Sequence, residues 1–288
     1  MIVAQEKVST RRACRDLEVS RSTVSYVPEP PASAPHKRGP KTEISDEALL
    51  AAIRKVIAES RFHGEGHRKI RARLRKAKGI RCGKARILRL CRLHGLLAPT
   101  RAVHTRGDAA HDGKIVEAVP DRTWGTDFTT FLTDEGQGYF FLAIDHCTDE
   151  VLGHHVTNQG NRWSALEPIR QAVRRVKGVF EKDVCRGIRL RHDHGTQYIA
   201  RDFQGEIRFL GIESSPSFVR EPEGNGIAER FMRTIKEQLL WCRHFATIEE
   251  ARLAVDEFIA AYNAEWILAR HGYRTPSEVR AAFMKAAA

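Results

Sequence analysis

The chain predicts an α/β core preceded by helical segments, and three observations carry that expectation. Apolar residues recur at helical spacing up to residue 97, strand-like runs begin after residue 120, and helices and strands then alternate. A chain of 288 residues exceeds one ordinary domain, and 42% hydrophobic residues exclude wholesale disorder. No apolar run approaches the roughly 20 residues that a membrane-spanning helix needs. The opening Met1 to Val8 carries Glu6 and Lys7 and does not read as a secretory signal. Six cysteines scattered without a CxxC pair suit reduced thiols, so a cytoplasmic protein with no membrane partner is expected.

Taken in order, residues 1–27 read as a partial helix-turn-helix, with Ser20 placed to cap its second helix. Residues 28–44 form a linker, since five of the eleven prolines fall between Pro28 and Pro40. Residues 45–97 read as a helical module. Its first helix follows a cap at Ser45 or Asp46 and aligns Leu49, Leu50, Ile53 and Ile57. The second, Arg68 to Lys78, aligns Ile70, Leu74 and Ala77; the third, Lys84 to His94, buries Ile87, Leu88, Leu90 and Cys91 and stops at Gly95. Its outward face is expected to carry Lys84, Arg86, Arg89 and Arg92, placed for a groove or for phosphates.

Residues 98–120 form a connector to the core, 121–288. There TWGTDFTTFLT, GYFFLAIDHCT and VLGHHVT are three strand-like runs separated by turn residues, as in an antiparallel meander. An amphipathic helix from Arg162 to Phe180 follows, then a strand GIRLRHD, a helix around Ile199 to Leu210, a strand near Ile212 to Ser214, and a helix from about Asn225. Three strands followed by alternating helix and strand is the order of a ribonuclease H-like core.

The net charge of +12 is unevenly distributed: between Arg61 and Arg106 there are fifteen Lys and Arg residues against one acid, Glu65. A field so concentrated attracts phosphates, and nucleic acid is the commonest such partner. His63, His67, Cys82, Cys91 and His94 lack any CxxC half, so zinc is not expected there. Three carboxylates stand out instead. Asp127 lies inside a strand, where an ionised side chain is unexpected unless it faces a cleft; Asp193 ends a strand, where α/β sheets place ligands. Glu229 falls in the first turn of a helix whose stripe Ile227, Phe231, Ile235 and Leu239 points inward, leaving Glu229, Arg233 and Lys236 on another face. Hard divalent cations bind such carboxylate sets.

The flanking blocks WGTDFT, RHDHGTQY and GNGIAERFMRTIKEQ resemble those of the DDE transposases and retroviral integrases, and thirty-five residues separate Asp193 from Glu229 as in that group. The ending YNAEWILARHGYRTPSEV, the blocks HGEGHRKIRARL and ILRLCRLHGLL, and the opening RRACRDLEVSRSTVSY are similar to the second-frame protein, OrfB, of the IS three family. The resemblance implies a DDE integrase core in which Asp127, Asp193 and Glu229 are catalytic and bind two Mg²⁺ ions, with Mn²⁺ able to substitute. It implies cleavage and strand transfer at element ends in double-stranded DNA and joining to target DNA. The upstream-frame product, OrfA, is the implied partner or fusion, with assembly as a homo-oligomer on DNA. Asn225, Gln197 and Tyr198 match motif residues that shape the site, and Arg233 and Lys236 are expected to touch DNA. Rival readings are a catalytically inactive DNA-binding regulator and a ribonuclease H-type nuclease. One departure stands out: where the family usually has a Ser-Arg pair after the second strand's aspartate, this chain has AIDHCTDE. Asp145 there reads as structural, and His192 and His194 are not expected to act as a general base.

Overall fold

The computed structural model describes residues 9–21, 43–99, 117–216 and 225–287. The chain forms two compact units, Met1–Ser45 and Asp46–Ala288. In the first, helix α1 (Thr10–Asp16) is capped by the Ser9 side chain, which accepts from the Arg12 N–H, and buries Cys14. Most of the second helix expected after Ser20, the proline-rich linker and most of the 98–120 connector lie outside the described residues.

The second unit starts with three helices, α2 (Asp46–Glu59), α3 (His67–Lys78) and α4 (Lys84–Leu93). They pack through Leu49, Ile53 and Val56 of α2, Ile70 and Leu74 of α3, and Ile87, Leu90 and Cys91 of α4. The inward stripe of α2 thus runs at four- and three-residue steps through Val56. Ile57, expected inside, is exposed one residue further round. Leu88 is likewise only partly buried. Gly79 adopts the left-handed conformation that ends α3, its N–H donating to the Leu74 carbonyl.

The core sheet comprises β1 (Thr123–Thr133), β2 (Gly136–Asp145), β3 (Val151–Thr157), β4 (Arg189–His192) and β5 (Glu213–Pro216), in the order β3-β2-β1-β4-β5. The first three strands form an antiparallel meander, and β4 and β5 run parallel to β1. This is the mixed sheet expected of a ribonuclease H-like core. Crossover helix α5 (Arg162–Lys177) links β3 to β4; the short α6 (Thr196–Ile199) and α7 (Arg201–Phe209) link β4 to β5. After β5 come α8 (Gly226–Ile235), a π turn (Lys236–Leu240), α9 (Ile248–Glu265) and α10 (Pro276–Ala287). Helix α5 ends three residues before the expected Phe180, because Gly178 takes the left-handed cap.

Strand alternation sends side chains to two apolar layers. Trp124, Phe141 and Ala143 meet Leu166, Ile169, Tyr198 and Phe203 on one face. On the other, Phe131, Phe140, Leu142 and Ile144 meet Phe231, Ile235, Val255 and Tyr262 from α8 and α9. Helix α5 sits tight on β3 because Gly153 has no side chain: a Cβ there would stand 2.1 Å from the Pro168 carbonyl oxygen.

The helical module rests on the end of α9. Phe62 packs edge-on against Trp266 at 4.7 Å, Lys69 lies over the same indole, and Gln238 exchanges two hydrogen bonds with the His63 backbone. Glu65, 5% exposed, is forked by Arg73 at 2.5 and 2.9 Å, and Arg73 also donates to the Glu265 carbonyl.

The C-terminal segment clasps the β2–β3 turn. Arg280 of α10 is bidentate to Asp121 and lies beside Asp145 and Glu150, while Arg270 and His271 engage Asp149. Burial alone would lower the pKa of Arg280, but the Asp121, Asp145 and Glu150 carboxylates raise it overall. Asp145 has the structural role expected. Its carboxylate accepts from the Thr148 N–H and hydroxyl and from the Asp121 N–H.

Candidate active site

Asp127 is held in the middle of β1, paired across the ladder with Leu142, and its carboxylate accepts the Phe128 N–H at 2.8 Å. Its face of the strand is also that of Gly125, on the α8 side of the sheet. The parallel register runs Thr123–Arg189, Trp124–Leu190 and Gly125–Arg191. Asp193 lies two residues beyond the last paired position, near enough for its charge to be felt at Asp127. Asp193 stands one residue beyond β4, exposed, with Oδ1 accepting the Gly195 N–H at 2.8 Å.

Glu229 lies in the first turn of α8, exposed, while Ile227, Phe231 and Ile235 are buried as the stripe requires and Leu239 packs at the margin. Partial loss of solvent around its carboxylate raises the Glu229 pKa above the ordinary carboxylate value. For Asp127 the rise reaches about 7: burial is the main cause, the Asp193 and Glu229 charges add to it, and the Phe128 N–H and Lys236 oppose it. Asp127 therefore senses both other carboxylates and the cation at the start of the π turn. Such turns interrupt helices mostly where a side chain must be re-aimed.

Among the described residues no three His, Cys, Asp or Glu side chains stand as a ready metal cluster. The donor chemistry nonetheless fits a hard divalent cation. All three side chains offer carboxylate oxygens, and a bound cation would offset what burial and the two neighbouring charges impose on ionised Asp127.

The remaining expected residues divide. Tyr198 is fully buried and close enough to feel the Asp127 and Asp193 charges; burial pushes its pKa well up. Gln197 is buried with an unpaired Nε2 beside Gly195. Asn225, at the N-cap position of α8, donates Nδ2–H to the Thr126 carbonyl at 3.0 Å. Arg233 is exposed on α8. His192 is buried, its Nδ1 facing the Asp193 carbonyl at 2.7 Å and its Nε2 the Ser214 hydroxyl at 2.8 Å. A carbonyl can only accept, so Nδ1 carries the proton and Nε2 takes the hydroxyl hydrogen. Both nitrogens are engaged, in keeping with the expectation that this histidine is no general base.

Of the four expected cations on α4, Lys84, Arg89 and Arg92 are exposed and Arg86 is largely buried. Arg86 and Arg89 both reach back to Asp46 at the start of α2, at 2.7 and 2.5 Å. Hydrogen bonds from Arg89 and then Arg86 lower the Asp46 pKa. The sequence reading missed His146. It is a buried imidazole in AIDHCTDE, whose only visible signal is a polar ring placed directly after an apolar strand.

Residues 44–103 match the HTH-like domain model, and residues 117–222 and 210–276 each match an integrase core domain model. The chain is 27% identical over 239 residues to the transposase InsD for insertion element IS2A/D/F/H/I/K of Escherichia coli, covering 81% of this chain and 78% of that protein. The transposase InsD for insertion element IS2-9 of Escherichia coli strain K12 matches at the same identity, over 81% and 76%. Among solved structures, the simian T-cell lymphotropic virus intasome in complex with PP2A regulatory subunit B56 gamma aligns over 75% of this chain and 70% of that one, at 15% identity and a TM-score of 0.48.

Proposed function

With an HTH-like domain ahead of an integrase core, the chain is a transposase/integrase enzyme homologous to the transposases of insertion element IS2, and on that premise we propose a DDE mechanism. In it Asp127, Asp193 and Glu229 hold two Mg²⁺ ions, with Mn²⁺ able to substitute, for cleavage at element ends and strand transfer. The observation that supports this most directly is Asp127, a strand-borne carboxylate whose pKa is pushed up to about 7 by burial and by the other two acids. When bound, the ions supply Lewis acidity at the attacking and leaving oxygens of the phosphodiester.

The chain's own residues position the DNA. In this reading β1 carries Asp127, the first residue beyond β4 is Asp193, and the first turn of α8 supplies Glu229. Lys236 faces Asp127, and Arg233 is exposed on the same helix, where both reach phosphate oxygens flanking the scissile bond. Lys84 and Arg92 of α4 hold the duplex away from the site. Double-stranded DNA, both element end and target, is the proposed substrate. Assembly on DNA as a homo-oligomer, together with the upstream-frame product OrfA as partner or fusion, brings two ends together. Among the described residues no helix is long and apolar enough to cross a membrane.

The test is a strand-transfer assay on a labelled oligonucleotide with and without Mg²⁺. Asp127→Ala, Asp193→Ala and Glu229→Gln are each expected to lose activity by roughly a thousandfold or more while DNA affinity survives. Substantial residual turnover removes that residue from the triad. Cleavage without joining indicates a nuclease, and binding without cleavage an inactive regulator.

A further inference from the structure

We propose that His146 is a positioning residue of the active site, whose imidazole holds the Asn225 carboxamide that ties the strand of Asp127 to the helix of Glu229. The inference rests on the reading of those carboxylates as the reactive centre.

Asn225 is the physical link between the two elements. It occupies the N-cap position of α8, four residues before Glu229, and its Nδ2–H donates to the backbone carbonyl of Thr126, next to Asp127. The amide hydrogens face Thr126, so Oδ1 is left to be oriented by something else. The group beside it is His146, 1% exposed.

Gly125 makes the approach possible. A Cβ at that position would stand 2.6 Å from His146 Nε2 and 2.7 Å from Asn225 Oδ1, so both atoms converge on space that only glycine leaves open. The contact is looser than a full hydrogen bond: Nδ1, Nε2 and Oδ1 are all buried without a close partner among the described residues. Buried polar atoms left this way are costly, and each has the other as its nearest remedy. The tautomer with the proton on Nε2 sets a donor against the amide oxygen.

The backbone that carries the imidazole is fixed on both sides. The His146 N–H donates to the Thr123 carbonyl at 3.0 Å, and Arg270 donates to the His146 carbonyl at 2.7 Å. Burial is the main force holding the ring neutral, with a pKa pushed down to about 4; Asn225 and Asp149 oppose this, while Arg191 and Arg270 reinforce it.

The test reads both structure and rate. In protein labelled with ¹⁵N at histidine and asparagine, His146 is expected to show the Nε2–H tautomer. His146→Leu should move the Asn225 side-chain amide resonances toward those of a solvent-exposed carboxamide, and His146→Gln should retain them. If the leucine variant does not fold, Asn225→Ala read at the His146 ring nitrogens serves the same purpose. Unchanged resonances in a folded variant overturn the proposal, whether or not the chain proves to be a strand-transferase.

On the kinetic arm, His146→Leu should lower kcat about ten- to a hundredfold with KM for DNA unchanged, the scale of a misplaced reacting group. His146→Gln should recover most of the loss. His146→Leu combined with Asn225→Ala should be no worse than Asn225→Ala alone. Additive losses in the double variant also overturn the proposal.

Discussion

Acids and arginines exchange places between the helical module and the core. In α2–α4 the acids brace cations: Glu65 is buried under Arg73 and Lys69, and Asp46 gathers Arg86 and Arg89. At the clasp of the core the arginines turn inward instead, with Arg280, Arg270 and Arg175 against Asp121, Asp145, Asp149 and Glu150. A surface built for phosphates keeps cations outside and needs an internal anion to hold them apart. In the core the buried acids outside the proposed triad are those that arginines neutralise.

The largest expected effect breaks the core half of this comparison. Arg280→Met leaves Asp121, Asp145 and Glu150 without their buried cation, and removing one partner of such a cluster costs about 3–5 kcal/mol. Urea unfolding should report the loss, which should shrink at acid pH as the orphaned carboxylates take up protons. A loss that does not depend on pH would mean that Arg280 contributes packing rather than charge. In the module, Glu65→Gln should cost less, about 1–3 kcal/mol, because Arg73 and Lys69 keep some contact with solvent. It should also loosen the Phe62–Trp266 contact, read as a change in Trp fluorescence.

A smaller effect concerns Asp127, whose folded pKa near 7 lies above its ordinary 3.8. The folded state then binds the extra proton between those values, so this group's contribution to stability falls as pH rises from about 4 to 7. Asp127→Asn should therefore raise the Tm of metal-free protein at pH 8, by roughly 3 °C or more, and change it little at pH 4. Mg²⁺ should stabilise the unmodified chain more at pH 8 than at pH 6, where protons compete for the carboxylate. Equal Tm values for variant and parent at pH 8 would show that burial and the neighbouring charges do not penalise ionised Asp127.

How much of this was legible depends on the range of the interactions. The meander was readable because alternation is local: TWGTDFTTFLT and VLGHHVT coincide with β1 and β3. Asp127 and Asp193 were visible as charges at a strand centre and a strand end, and Glu229 as the odd residue beside an apolar stripe. The His146–Asn225 approach joins positions 79 residues apart through a glycine's empty space, and Arg280 meets Asp121 across 159 residues. No periodicity encodes either. The face of α4 was misjudged for a related reason: the spacing gave the helix, but Asp46, forty residues earlier, decides where Arg86 points.

The smallest effect on stability should be the most telling for function, because it sets exposed cations of the module against engaged ones. Lys84 and Arg92 are exposed on α4, so replacing each by Ala should leave stability within about 0.5 kcal/mol. If they sit on phosphates, each change should reduce the slope of log affinity against log salt by about one, without altering preference among DNA sequences. Arg86→Ala and Arg89→Ala should behave differently, since both side chains are engaged with Asp46. They should loosen the packing of α4 on α2 while changing the salt slope less. Fluorescence anisotropy of labelled duplex from low to high salt, run on the four variants beside their unfolding curves, separates the two pairs. An equal salt slope for all four would mean that the Asp46 ion pairs open on DNA and that α4 presents all its cations at once. A slope unchanged in every variant would move the phosphate contacts off this helix altogether.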